Sequence, residues 1–121
     1  HAPKKRIVEA VPKALGIVGL RNTAMRYPHE VSGGELMRVE LARAIVNSPE
    51  ILIIDEPTAN LDNDTAWDIM QLLDEINRRG TTVIMATHAK SFVNILRKRV
   101  VTLSDGRIIG DVQKGRYGYI V

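Results

Sequence analysis

Ile51-Leu52-Ile53-Ile54-Asp55-Glu56-Pro57-Thr58-Ala59-Asn60-Leu61-Asp62 is the stretch whose reading decides the fold. Four consecutive aliphatic residues followed at once by two carboxylates and a proline describe a parallel strand, buried on both faces, that stops at a functional edge. Asp55 and Glu56 then stand at the carboxyl end of that strand, where open α/β sheets bind their ligands. An aspartate at a strand tip can hold Mg²⁺, because hard cations take oxygen ligands, and an adjacent glutamate can accept a proton from an attacking water. The same residues also read as a hydrophobic strand running into a polar turn, and only the neighbouring segments separate the two readings.

Working upstream, Val31-Ser32-Gly33-Gly34-Glu35 stands directly ahead of a run with helical spacing, Leu36, Val39, Leu41, Ala42, Ile45 and Val46. Two glycines at a helix start leave free N–H groups and the positive end of the helix dipole facing outward, which favours an anion such as phosphate. Ser32 and Glu35 also have the spacing of a capping box, and the two readings are compatible. The helix is expected to end near Asn47, ahead of Ser48-Pro49. Earlier still, Ile7, Val8, Val11 and Leu15 recur at helical spacing, interrupted by Pro12, so a short helix to about Val11 and a second from Pro12 are expected. Arg21 to Glu30 reads as a polar connection.

Downstream, Asp62 is placed to cap a helix carrying Ala66, Trp67, Ile69, Met70, Leu72, Leu73 and Ile76, closed by Gly80. Trp67 and Met70 read as core. Thr81 to Ala86 is rich in β-formers and gives a second buried strand ending in Thr87-His88. A histidine at that tip can reach the edge carrying Asp55 and Glu56 and hydrogen-bond a terminal phosphate. His1 and His29 offer no partner spacing for metal ligation. A short helix over Ser91–Leu96, a strand over Arg99–Leu103, a turn at Ser104-Asp105-Gly106-Arg107 and a returning strand over Ile108–Val112 complete an antiparallel hairpin, since Asp-Gly suits positive φ.

Composition bounds the alternatives. A chain of 121 residues, 45% hydrophobic, is long enough for one ordinary core, and its lack of cysteine removes disulfides and thiolate metal sites. No apolar run approaches membrane-spanning length and the start lacks a signal-peptide core, so the chain is expected to be soluble. The formal charge of +3 is spread apart from the short clusters at Lys4-Lys5-Arg6, Arg78-Arg79 and Arg97-Lys98-Arg99, which read as solvated faces, so no nucleic-acid partner is expected.

Ser-Gly-Gly-Glu at a helix start, the helix Arg38-Val39-Glu40-Leu41-Ala42-Arg43-Ala44, a strand ending Asp-Glu-Pro-Thr and then Ala-Asn-Leu-Asp resemble, in order and spacing, the second half of an ABC-type ATPase domain. The motifs span Tyr27 to His88. The resemblance implies an α/β, three-layer P-loop NTPase core with a small, mainly parallel sheet and a carboxyl-terminal hairpin. Residues 1–35 would be the remnant of a helical subdomain with the signature loop, and residues 36–121 the carboxyl-terminal part of the ATPase core. In the complete family protein, ATP and Mg²⁺ would bind across a head-to-tail dimer. Ser32, Gly33, Gly34 and Glu35 would form the signature loop, with Ser32 and Gly34 on the γ-phosphate. Asp55 would support Mg²⁺, Glu56 activate water, His88 bind the γ-phosphate, and Asp62 link the two sites. The implied partner is a membrane permease at the inner face of the plasma membrane. Within the family, Tyr27-Pro28-His29-Glu30, Met85-Ala86-Thr87-His88, Arg97-Lys98-Arg99-Val100 and the Gly118-Tyr119 tail are most similar to a cell-division branch.

No glycine here is followed by lysine, so the phosphate-cradling G-x-x-x-x-G-K-[ST] loop is not in these residues. The chain is therefore expected to bind Mg-ATP weakly by itself and not to turn it over. In the family's sheet the strand carrying that loop lies beside the His88 strand, so a gap is expected there. Either Arg99–Leu103 slides in beside Thr82–Ala86, or a second copy or a complementing amino-terminal half fills it. Leu36, Met37 and Glu40 replace residues the family usually keeps polar or small, which adds apolar surface at the signature loop. Two other readings remain open at this level: a non-catalytic, engineered or selected self-association fragment, and one member of a split ATPase.

Overall fold

The computed structural model describes residues 33–115 together with Lys13, Ala14 and Ile17, which are helical. The expected helices before residue 33 otherwise lie outside the described residues, as do the 21–30 connection, Ser32 and the tail beyond residue 115. In the described region the elements are α1 (Gly33–Ile45), β1 (Ile51–Asp55), α2 (Asn63–Arg78), β2 (Thr82–Ala86), α3 (Lys90–Leu96), β3 (Val100–Ser104) and β4 (Arg107–Val112). They fall into two compact units, His1–Ala86 and Thr87–Val121.

The first unit is built on α2. Its sixteen residues bury Ala66, Ile69, Met70, Leu72, Leu73 and Ile76, an apolar stripe at three-to-four spacing, and Ile69 and Met70 are fully enclosed. Against this stripe pack α1, through the buried Leu41, Ala42 and Ile45, and β2. Asp62 caps the start of α2 by accepting the Thr65 N–H at 3.2 Å. At the other end Gly80, at φ 110°, takes the chain out of the helix, and its N–H donates to the Asn77 carbonyl at 3.0 Å.

β1 and β2 pair in parallel, from Ile51 opposite Thr82 to Asp55 opposite Ala86. The parallel pairing is as the sequence leads one to expect; burial on both faces is not. Leu52 is buried, whereas Ile51, Ile53 and Ile84 are exposed, Ile53 to 75%. Side chains alternate across a strand, so one face of the pair meets the core and, among the described residues, nothing covers the other.

The second unit holds α3 and the hairpin. β3 and β4 pair antiparallel, with Val100 opposite Val112 and a register shift between Thr102 and Leu103. Asp105 and Gly106 both take positive φ, 49° and 74°, the geometry that a two-residue hairpin turn needs. The Arg99 guanidinium donates to both Asp111 carboxylate oxygens, at 2.8 and 2.6 Å. Gly115 closes the unit: its N–H donates to the Lys98 carbonyl at 3.0 Å, and its Cα lies so near Val100 that a Cβ would stand 2.7 Å from the valine Cβ. Of the two ways of filling the gap, insertion of Arg99–Leu103 beside Thr82–Ala86 is not seen among the described residues: β2 pairs with β1, and β3 with β4, which a two-residue turn brings back beside it with little loop to close.

Candidate functional site

The site grows from the end of β1. Asp55 is the last residue of the ladder and its side chain is exposed. The next residue, Glu56, closes the last rung, donating its N–H to the Ala86 carbonyl at 2.8 Å, and then turns sharply at φ 47°. A left-handed conformation is uncommon for a residue with a side chain and is held only when its surroundings fix it. Here the bond to Ala86 fixes the near side and buried Pro57 and Thr58 fix the far side. The result separates two adjacent carboxylates, Asp55 exposed and Glu56 half-buried.

From Glu56 the chain makes two short turns. Ala59 N–H donates to the Glu56 carbonyl at 3.3 Å, and Leu61 N–H donates to the Thr58 carbonyl at 3.2 Å, with Asn60 at φ 65°. Asp62 then begins α2. Its carboxyl is held below the ordinary carboxylate range, first by the Thr65 hydroxyl and then by the Thr65 amide.

The glycine pair opens α1 as expected, with Glu35 in its first turn, where a negative charge complements the helix dipole. Gly34 rests directly on α2: a Cβ there would stand 2.6 Å from the Thr65 methyl. The fold thus gathers Gly34, through Thr65, with Asp62, and joins that group through the Ala59–Leu61 turns to Asp55 and Glu56. Ser32 lies outside the described residues. His88 belongs to the second unit, in the bend before α3; its carbonyl accepts the Lys90 N–H at 2.9 Å, the Thr87 hydroxyl accepts the Ala89 N–H at 2.9 Å, and the imidazole is exposed.

The donor set fits magnesium in one way only. Among the described residues no group of three or more His, Cys, Asp or Glu side chains could hold a metal by itself. Mg²⁺, however, is commonly held by one or two carboxylates with waters and substrate phosphates completing its octahedron. Asp55, exposed at the strand tip, is one such carboxylate, so its chemistry suits Mg²⁺ that arrives with a nucleotide. No helix among the described residues is long and apolar enough to cross a membrane.

Sequence reasoning placed Asp55, Glu56 and Asp62 at their turns but missed Thr65 and the backbone of Glu56. Thr65 was open to half a reading, because three residues past a capping aspartate is where the capped amide sits. Its methyl contact with Gly34 crosses thirty-one positions and leaves no local trace.

Residues 2–59 match the family model described as ABC transporter. The chain belongs to the ABC transporter ATPase family and is part of its ATPase domain. Within that family it is similar to the cell division ATP-binding protein FtsE. It is 50% identical to that of Streptococcus pneumoniae over 116 residues, 96% of this chain and 50% of the relative. The Mycobacterium tuberculosis protein is 55% identical over 112 residues, 93% of this chain and 49% of its own length. The chain thus spans about half the length of the curated relatives it matches. Among solved structures it resembles cbiO1 of Clostridium perfringens, part of the ABC transporter complex cbiONQ, with a TM-score of 0.84 and 33% identity, covering 94% of this chain and 46% of that one. It also resembles MJ1267, an ATP-binding cassette of an ABC transporter, with a TM-score of 0.83 and 28% identity over 94% of this chain and 46% of that one.

Proposed function

We propose that these residues serve an FtsE-like ATP-hydrolysing subunit, supplying the carboxylate side of its nucleotide site. The observation that carries this is the bend at Glu56, where a strained left-handed residue holds a half-buried carboxylate one position beyond an exposed Asp55 at a parallel strand tip. In that reading Glu56 accepts the proton of the attacking water and Asp55 is a ligand for Mg²⁺, which supplies charge neutralisation when bound with the nucleotide. His88 donates a hydrogen bond to the terminal phosphate. Ser32, Gly33, Gly34 and Glu35 face the nucleotide held by an opposite subunit, and Asp62 stands between the two sites. Residues 1–35 belong with the helical subdomain of such a subunit and residues 36–121 with its ATPase core.

The names of the relatives support a role in cell division with ATP binding. In this reading the subunit hydrolyses ATP as a dimer, beside an FtsX-like permease on the cytoplasmic side of the plasma membrane. The 121 residues by themselves bind Mg-ATP weakly and do not hydrolyse it, because they carry no lysine loop to hold the phosphates. The alternative of a self-association fragment without catalysis is less favoured, since the likeness extends along more than nine-tenths of the chain. The test is Glu56→Gln in the full-length subunit. Hydrolysis is expected to fall by roughly 10²–10⁴-fold, the usual worth of a general base, with ATP still bound. Undiminished turnover would remove Glu56 from the role.

A further inference from the structure

One residue touches both loops of the first unit's site. The Thr65 methyl occupies the space that a Cβ on residue 34 would need, at 2.6 Å, while the Thr65 N–H donates to Asp62 at 3.2 Å. Threonine is branched at Cβ and stiff at χ1, so bulk at residue 34 presses on the Thr65 backbone, and with it the amide, as well as on the methyl. The two contacts are therefore not independent: yielding at Gly34 loosens the hold on Asp62.

We propose that Thr65 is a positioning residue that keys the first turn of α1 to the Ala59–Asp62 turn within one chain, its methyl seated on Gly34 and its amide on Asp62. Displacement of the glycine loop is thereby passed to the aspartate without a contact between them. Gly34 on this account is small because Thr65 fills its side-chain space, a requirement separate from any approach to phosphate. Replacing the methyl by hydrogen leaves Thr65 Cβ at 4.0 Å from the residue-34 Cβ position, ordinary contact distance, so a serine at 65 accommodates an alanine at 34.

The proposal takes only the names of its two loops from the ATPase reading, so its test uses no nucleotide and fails independently of that reading. Amide hydrogen exchange is measured on the full chain for Gly34→Ala, Thr65→Ser, Thr65→Val and the Gly34→Ala/Thr65→Ser pair. Gly34→Ala is expected to speed exchange at Thr65 and Ala66 by about fivefold or more, leaving Leu72 and Leu73 unchanged, although helix propensity alone favours alanine over glycine. Thr65→Val, which keeps a methyl branch and the amide, is expected to leave those amides within about twofold of the parent, and faster exchange there would count against the proposal. The double variant returns to the rates of Thr65→Ser. Rates at Thr65 and Ala66 that stay within about twofold of the parent in Gly34→Ala would overturn the proposal. So would a double variant as fast as Gly34→Ala, or a uniform rise along all of α2.

Discussion

The Glu56 N–H donates to the Ala86 carbonyl at 2.8 Å, closing the last rung of the parallel sheet, and Glu56 itself lies at φ 47°. The ladder thus ends on the residue that leaves it. At this position a β-branched side chain clashes with its own backbone whereas glycine does not. Glu56→Val is expected to be less stable than Glu56→Gly by about 1–2 kcal/mol in urea denaturation. Equal midpoints for the two would show that the bend relaxes on substitution.

Core and surface substitutions in the helices should diverge widely. Met70→Ala removes a side chain with no exposure and is expected to cost about 2–5 kcal/mol by calorimetry or urea melt. Leu36→Gln, on a residue 41% exposed at the start of α1, should change stability by no more than about 0.5 kcal/mol.

The uncovered sheet face offers a test of association. Ile53 at 75% exposure, with Ile51 and Ile84 beside it, presents a contiguous apolar row. Ile53→Glu is expected to reduce dye binding to exposed apolar surface and to lower the sedimentation mass of the chain, with a melt shifted by no more than roughly 0.5 kcal/mol. A mass unchanged by the substitution would place any self-association elsewhere.

Asp62 sets a pH dependence whose sign follows from its bonds to Thr65. Its folded pKa lies below its ordinary value of 3.8, so the unfolded chain takes up the proton first. The cap therefore contributes in full above the ordinary carboxylate range and is lost as pH falls through the lowered folded value. Urea melts of the parent and Asp62→Ala should differ at pH 7 and converge as pH falls through the lowered folded value. A difference that persists undiminished into strong acid would assign the effect to helix geometry instead.

In the hairpin unit, Gly115 leaves no room against Val100, where a Cβ would meet two valine carbons at 2.7 and 2.8 Å. Gly115→Ala is expected to cost about 1–3 kcal/mol, as overpacking does, and to weaken the bond from residue 115 to Lys98. The check is exchange of the residue-115 amide together with the melt, and an unshifted melt would show that Val100 rotates aside.

What was legible in the sequence follows periodicity and turn chemistry. α2 announced itself by its apolar spacing between Asp62 and Gly80, and the hairpin by Asp105-Gly106, because both signals are local. The strand Ile51–Asp55 was correctly read as parallel, but four aliphatic residues in a row cannot say which of their faces is covered, and Ile51 and Ile53 are exposed. The site was legible in its carboxylates and glycines. It was not legible in Thr65, whose contact with Gly34 depends on how two helices meet, nor in the left-handed Glu56, whose conformation is imposed by neighbours on both sides and not by its own preference.

The bend at Glu56 is completed when the chain folds, since Ala86, Pro57 and Thr58, which flank it, belong to the polypeptide itself. An unfavourable dihedral is thus met once in a molecule's lifetime. In the role proposed for Glu56, a carboxylate mounted in this way arrives at each encounter already aimed, with the uphill step moved out of turnover and into maturation.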